Sequence, residues 1–452
     1  MIKYKRYESY KDSGVEWIGE IPEHWEVGRL KSSIKSCRNG IWGDEPQGDN
    51  DDVACIRVAD FNRTNMEIEV TDLTIRNVPA SKQKMYLLKH GDLLIEKSGG
   101  GEKQPVGFVT IFNHNIPAVY ANFIAKMELV EEKAYSGFYK YVHSAMYSVR
   151  LNVRSIKQTT GIQNLDTNYY FEESVIYPPL NEQKSIANFL DQKTAEIDGL
   201  IADKEKLIEL LQEKRQAIIT EAVTKGLNPN VRMKDSGIEW IGEIPEHWEV
   251  CGFTKYISSI IDYRGKTPEK VDEGVFLVTA KNIKNGRIDY SLSQEYVKSE
   301  EYEQIMRRGL PEIGDVVFTT EAPLGEVANV DRTDVAFAQR VIKFRGKVEK
   351  LDNYYLKYWI MSHGFQHDLQ SYATGSTATG IKASKLSKLI ILLPRLEEQK
   401  AIVNFLDQKT AEIDDLIFDI YTQIQKLKEY RQSLISEAVT GKIDVRDYVV
   451  SN

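Results

Sequence analysis

The residues best placed to do chemistry in this chain stand in short loops where cations, amides and hydroxyls sit beside glycine. Glu96 to Gly107 reads EKSGGGEKQPVG, with three glycines, Gly99 among them, between Lys97 and Lys103. A backbone without side chains can approach a ligand closely there, while Lys97, Ser98, Lys103 and Gln104 surround it. That arrangement suits a phosphate or the edge of a base. Arg38, Asn39 and Trp42 flank Gly40 in a second loop, and Arg264 and Lys266 flank Gly265 in a third. Lys157, Thr159 and Thr160 precede Gly161, and Ser376, Thr377 and Thr379 precede Gly380, supplying amine and hydroxyl groups suited to phosphate contacts. Thr319, Thr320 and Glu321 open the segment TTEAPLG, which lacks lysine and offers an acceptor for a cytosine amino group. Lys281, closing the β-branched run Gly274 to Ala280, completes the candidates. Exposed hairpin loops have the same composition, so each loop alone says little. Their occurrence at matching places in two halves of the chain says more.

The halves are evident when the sequence is compared with itself. Lys11 to Val27 reads KDSGVEWIGEIPEHWEV, and Lys234 to Val250 repeats it with Val15 replaced by Ile238. FLDQKTAEID occurs at Phe189 to Asp198 and again at Phe405 to Asp414, and EAVT recurs at Glu221 and Glu437. Between these blocks the two copies share a faint skeleton: GDLLI at Gly91 answers GDVVF at Gly314, and Thr160-Gly161-Ile162 answers Thr379-Gly380-Ile381. The period is far longer than that of a solenoid, whose repeats run about 20–50 residues. A whole domain is duplicated in tandem. Identical outer segments around divergent inner ones imply shared partner contacts and a different ligand for each half.

Two long helices must position these domains. Apolar residues recur at helical spacing from Ile186 to Ile218, between charged residues, and again from Ile402 to Ile435. Pro178 and Pro179 precede the first stripe, with Asn181 as the expected N-cap, and Gly226 followed by Pro229 ends it; the second stops near Gly441. A helix of roughly forty residues is about 60 Å long, and two such stripes can satisfy each other as an antiparallel, coiled-coil-like pair. An ordinary helical linker or a homodimer zipper is the competing reading. Lys193, Lys204 and Lys214 interrupt the first seam, so other subunits can pack alongside. The divergent regions mix short β-branched runs (Asp52 to Ala59, Gly107 to Phe112, Gly274 to Ala280, Glu326 to Val330) with helical stretches at Tyr135 to Leu151 and Asp352 to Tyr372. Both read as compact α+β domains.

Several functions are excluded. A net charge of −8 over 452 residues argues against a protein that coats nucleic acid by electrostatics alone, though not against a local basic groove. The three cysteines form no CxxC pair and read as partly buried free thiols. No apolar run is long enough to span a bilayer and no leader opens the chain, which reads as cytoplasmic. No P-loop, GxSxG elbow, HExxH or aromatic-flanked Asn-Pro-Pro tetrapeptide is present. Glu182-Gln183-Lys184 and Glu398-Gln399-Lys400 open helices, where acids are expected on dipole grounds. His24 and His247 belong to the repeated shell and are assigned to packing or subunit contact. The expectation is a protein without catalytic residues or metal. A scaffold holding protein partners remains the rival class, distinguished by whether duplex affinity falls steeply with salt.

WIGEIPEHWEV, GD-hydrophobic, TGI and P-x-L-x-E-Q-K-x-I-x-x-F-L-D, each present twice, resemble the specificity subunit of Type I restriction-modification systems over nearly the full length. The resemblance implies two pseudo-repeated target recognition domains (residues 1–180 and 227–395), two conserved spacer helices (181–226 and 396–443) packed antiparallel, and a C-terminal tail (444–452). It implies double-stranded DNA as ligand, with each domain reading half of a bipartite adenine-methylation site. The implied partners are two modification subunits using S-adenosylmethionine and restriction subunits using ATP and Mg, with no cofactor on this chain. It places subunit contacts on the repeated helices, at Phe189, Leu190, Phe405 and Leu406, and brings the termini close together.

Overall fold

The computed structural model describes residues 4–159, 161–263, 268–337, 340–375 and 379–448. Arg264, Lys266, Thr160, Ser376 and Thr377 lie outside the described residues, as does the side chain of Thr159. The chain divides into two compact units, residues 1–205 with 421–452, and residues 206–420. The divisions fall inside the two long helices, Leu180–Lys225 and Leu396–Val439, so each unit carries one segment of both. Asn181 lies within the first helix and is not its cap.

Unit 1 is built on a six-stranded sheet in the order Ile34–Asn39, Ile124–Leu129, Asp92–Glu96, Val109–Phe112, Glu67–Ile68, Phe61–Asn62. Its central strands pair antiparallel, with Ala125 opposite both Asn39 and Ile95. A smaller sheet, Ala118–Tyr120, Asp52–Ile56 and Thr74–Asn77, lies beside it. Strands buried on both faces read as near-continuous apolar runs, and Leu93, Leu94 and Ile95 are fully buried. The expected helix over Tyr135 to Leu151 is Ser136–Ser148.

Unit 2 repeats the plan. Ile257–Asp262, Val341–Gly346, Val316–Thr320 and Leu324–Asn329 form an antiparallel sheet, beside a three-stranded one of Tyr296–Val297, Val275–Val278 and Val335–Phe337. The stretch expected as one helix from Asp352 to Tyr372 is two, Asn353–Met361 and His363–Ser371, because Ser362 adopts an extended conformation and caps the second through its side chain.

The repeated shell serves the same purpose in both units. In unit 1 Glu182, at the start of the long helix, accepts from Trp25 Nε1 at 3.0 Å and Tyr7 Oη at 3.1 Å and bonds His24 Nε2 at 2.7 Å. In unit 2 Glu398 accepts from Trp248 Nε1 at 3.1 Å and meets His247 Nε2 at 2.8 Å. Gln183 and Gln399 are buried and satisfied by backbone: Tyr135 N, Lys133 O and Pro178 O in one unit, Asp352 N, Lys350 O and Pro394 O in the other. The repeated Glu-Gln pair is a lock fastening each domain to its helix. The helices end against the same shell at Gly226 (φ +74°) and Gly441 (φ +74°), where a Cβ would press on Trp248 and Trp25 respectively. In unit 1 the segments Tyr4–Tyr10 and Lys442–Tyr448 are joined by a bond from Asp444 N to Lys5 O at 2.8 Å and an ion pair of Lys5 with Asp447 at 3.2 Å.

Within each unit the helix segments run antiparallel. Arg431 meets Asp198 and Lys204 meets Gln423 in unit 1, while Arg215 meets Asp414 in unit 2. Ile197, Ile201 and Ile424 are buried on these segments in unit 1, and Ile208, Ile413 and Ile420 in unit 2.

Candidate nucleic-acid interface

In unit 1 the central strand Asp92–Glu96 delivers its chain into the glycine loop. Ser98–Gly99 pairs with Ile162–Leu165, which pairs in turn with Ile156–Thr159. Lys97 Nζ donates to Asn39 Oδ1 at 2.8 Å and Ser98 Oγ to Asn164 Oδ1 at 2.6 Å. Three loops separated in sequence thus converge on one end of the unit, bringing together Asn39, Lys97, Ser98, Gly99 and Lys157. Gly40 is required there, since a Cβ would lie 2.0 Å from Tyr120 O.

The cations at this end differ in availability. Lys157 is paired with Asp166 at 2.7 Å. Arg38, Lys103 and Gln104 are exposed, and among the described residues neither Arg38 nor Lys103 makes an ion pair. Trp42 is exposed with the Arg76 guanidinium 4.6 Å from its ring centroid.

Beside the glycine loop lies an open polar cavity of about 610 Å³, lined by Asn62, Arg63, Glu96, Gly100 and Gln104 among others. Arg63 Nη2 bonds Glu96 Oε2 at 2.5 Å, and the Arg63 guanidinium covers the Phe108 ring at 4.7 Å. Burial pushes the Glu96 carboxyl above the usual carboxylate range, although Arg63 draws it down. The sequence reading missed both residues. Glu96 stands among apolar strand residues, and a buried acid beside a glycine loop is the signal that could have found it, whereas Arg63 has no local mark.

Unit 2 places its candidates differently. Thr319 and Thr320 were expected on an exposed loop, and the structure corrects this: both are buried in the strand Val316–Thr320. Thr319 Oγ1 accepts from Glu326 N at 2.9 Å and Thr320 Oγ1 donates to Arg340 O at 3.1 Å, so neither hydroxyl is open to a base. Two β-branched residues extending the apolar run VVF continue the strand, which the polar character of Thr319-Thr320-Glu321 had obscured. Glu321 lies at the strand's end, bridged to Gly380 and ion-paired with Arg340 at 2.8 Å. Thr379 and Lys281 are exposed. The equivalent of the glycine loop is therefore Glu321 with Arg340 and the Thr379–Gly380 turn, an ion-paired acid standing where unit 1 has Ser98.

Three of the four expected subunit contacts are also corrected. Phe189, Leu190 and Leu406 are fully buried. Tyr4 and Tyr448 cover Phe189 edge-on, at centroid distances of 5.4 and 4.8 Å. Phe405 is 36% exposed and lines an apolar groove of about 850 Å³ with Ile218, Ala222, Leu227 and Met233. The three free thiols, Cys37, Cys55 and Cys251, are each pushed up to about 11 by burial, which makes them poor nucleophiles. Among the described residues no group of His, Cys, Asp and Glu could hold a metal ion, and no helix is long and apolar enough to cross a membrane.

A family model described as Type I restriction modification DNA specificity domain matches residues 22–210 and again 257–426. The chain is similar to the putative type I restriction enzyme MjaX specificity subunit of Methanocaldococcus jannaschii, 25% identical over 99% of both chains. The MjaVIII specificity subunit of the same organism is 29% identical over 67% of this chain and 70% of its own length. The EcoKI specificity subunit of Escherichia coli is 22% identical over 94% and 90%. Among solved structures, a chain from a study of type I R-M complex assembly covers 93% of this chain and 98% of its own at TM-score 0.68 and 15% identity. The HsdS subunit from Thermoanaerobacter tengcongensis covers the same shares at 0.50 and 15%. At such identity these two structures speak for the fold alone.

Proposed function

Because the chain belongs to the Type I restriction modification DNA specificity domain family, we propose that each unit reads one half of a two-part duplex site while the long helices receive the modification subunits. The observation that carries this reading is the pairing of a shared shell with unlike ends. The Glu-Gln lock and helix segments are the same in both units, whereas the end of unit 1 presents Arg38, Asn39, Lys97, Lys103 and Gln104 and that of unit 2 presents Glu321, Arg340 and Thr379. Donor-rich and acceptor-bearing surfaces select different base edges in the major groove.

In this reading the chain supplies no catalytic group and binds no cofactor. Adenine N6 methylation falls to two modification subunits using S-adenosylmethionine, and translocation and cleavage to restriction subunits using ATP and Mg. The chain's own residues bind and orient the duplex. Exposed lysines and threonines meet phosphates and set the register, and the residues at the strand ends meet bases. The chain's net negative charge directs that contact to the two reading ends.

The test is adenine methylation mapped across the genome of cells expressing this chain with its modification subunit, against cells lacking this chain alone. A bipartite N6-methyladenine motif that depends on the chain is expected. Exchange of residues 28–177 for those of another family member should then alter one half-site and leave the other. Unchanged methylation with the modification subunit folded and present would overturn the reading.

A further inference from the structure

We propose that Arg431 and Arg215 are paired positioning residues, each tying the helix seam of its unit to the tip of the hairpin that supports the reading loop. The proposal rests on the two-half-site reading above and names how each half is held.

In unit 1 Arg431, on the second long helix, grips Asp198 of the first with both ends of its fork, Nε at 2.9 Å and Nη2 at 3.1 Å. The same Nη2 donates to Thr64 O at 2.5 Å. Thr64 sits at the tip of the hairpin between Phe61–Asn62 and Glu67–Ile68, and its neighbour Arg63 bonds Glu96, the residue that leads into the glycine loop. One arginine thus joins two helices to the reading end through a single intervening ion pair.

Unit 2 contains a looser counterpart built from different residues, an ion pair in place of the two-pronged grip. Arg215, on the first long helix, meets Asp414 of the second at 3.2 Å, and its Nη2 donates to Asn285 O at 3.4 Å. Asn285, with φ +54°, is the tip of the hairpin between Ile283–Lys284 and Arg287–Ile288. Its backbone N donates to Glu326 Oε2 at 3.0 Å, and Glu326 N donates to Thr319, which occupies in its sheet the place that Glu96 holds in unit 1.

An arginine serving only to zip two helices is satisfied by the aspartate. These two are asked for more, and what they reach in the recognition domain is a main-chain carbonyl. That choice is physically apt. A carbonyl is present whatever side chain stands at the hairpin tip, so the reading domains can diverge in sequence, as Asn62-Arg63-Thr64-Asn65 and Lys284-Asn285-Gly286-Arg287 have done, without losing their attachment. Planar, multidentate geometry also explains why the residue is arginine, since a lysine ammonium cannot satisfy carboxylate and carbonyl in one fixed fork.

The experiment uses the chain assembled with its modification subunit and reads the methylation motif. For Arg431→Ala, methylation at sites mismatched in one half-site, the half that changes when residues 28–177 are exchanged, should rise on the order of tenfold relative to cognate sites, with the other half-site unaffected. Arg215→Ala should relax the opposite half-site, and less, in keeping with its longer contacts. Arg431→Lys, which keeps the charge and the ion pair with Asp198, should lie between and guards against a variant that does not assemble. Equal relaxation of both half-sites, or unchanged selectivity in an assembled complex, would overturn the proposal. A wild-type complex giving no bipartite motif would instead overturn the reading on which it rests.

Discussion

Ten identical residues, Phe189–Asp198 and Phe405–Asp414, form the same surface in the two units and meet different surroundings. Lys193 and Lys409 each bond a glutamate one turn on at 2.7 Å, and Tyr141 and Tyr358 each donate to the aspartate after Leu190 or Leu406 at 2.8 and 2.6 Å. Yet Phe189 is sealed by Tyr4 and Tyr448, and Phe405 stands open over its groove. In unit 2 the place of Tyr4 is taken by Leu227, and among the described residues no aromatic ring stands where Tyr448 stands in unit 1. Burial here is decided by what the rest of the chain brings to a surface, and the surface's own sequence is silent about it.

The sharpest way to break that comparison is the same substitution in both copies. Phe189→Ala should destabilise unit 1 by about 3–5 kcal/mol, the cost of emptying a sealed aromatic site. Phe405→Ala should cost about 1–2 kcal/mol, since about a third of that residue is already in water and its site is open on one side. Denaturant unfolding of the two variants measures the difference, and equal losses would show that the groove closes on Phe405.

A second contrast lies at the start of the equivalent central strands. Asp92 and Lys126 are paired at 3.3 Å in unit 1, whereas in unit 2 Asp315 bonds Lys343 at 2.7 Å and Arg345 at 2.6 Å, with Asp315 and Lys343 side chains each 1% exposed. Burial raises the Asp315 carboxyl, and the bonds from Arg345 and Lys343 outweigh it, leaving the group below the usual carboxylate range. A depressed carboxylate contributes stability above its unfolded pKa and loses it as pH falls through the folded value. Asp315→Asn should therefore cost about 3–5 kcal/mol near pH 7, by leaving Lys343 charged and buried. It should also flatten the loss of unit 2 stability below about pH 4, where the unfolded carboxylate begins to protonate. An acid titration of unfolding with the steepness of wild type would refute the assignment.

The Glu-Gln lock gives a smaller effect in the same direction. Glu182 receives Tyr7, His24 and Trp25, and Glu398 receives His247 and Trp248. Glu182→Ala should cost about 2–3 kcal/mol and Glu398→Ala about 1–2, because each orphans buried indole N–H groups and the first orphans a tyrosine hydroxyl as well. Thermal unfolding of both variants ranks them.

These pairs also show what could be read from sequence. The duplication, the two helices and the α+β character of the domains were legible because repeats and hydrophobic periodicity are local signals. The roles of Glu182 and Gln183 were not, since a first-turn acid satisfying the helix dipole looks the same as one receiving an indole from a residue 157 positions away. Thr319 and Thr320 were misplaced because a polar β-branched residue suits a buried strand when a neighbouring backbone takes its hydroxyl. Ser362 breaks a helix that its flanking pattern continues, for its side chain caps the next one. In the candidate interface, the glycine loop and its lysines were visible, whereas Arg63 reaches Glu96 only after the hairpin folds back on the sheet.

The smallest expected effect concerns the reading end of unit 1. Lys97 is held by Asn39 at 2.8 Å, and Lys103 is exposed and unpaired among the described residues. With Lys103 meeting a phosphate, Lys103→Ala should weaken duplex binding by the assembled complex alike on cognate and mismatched sites and lower the slope of log affinity against log salt by about 0.9. Lys97→Ala removes a group tied to an amide that can itself meet a base edge, so its loss should fall more heavily on cognate sequence and free Asn39 as well. Affinities at several salt concentrations, on cognate and mismatched duplexes, separate a phosphate contact from a base contact. An unchanged slope for Lys103→Ala would move the duplex away from the glycine loop and toward the Arg38–Trp42 side of the same end.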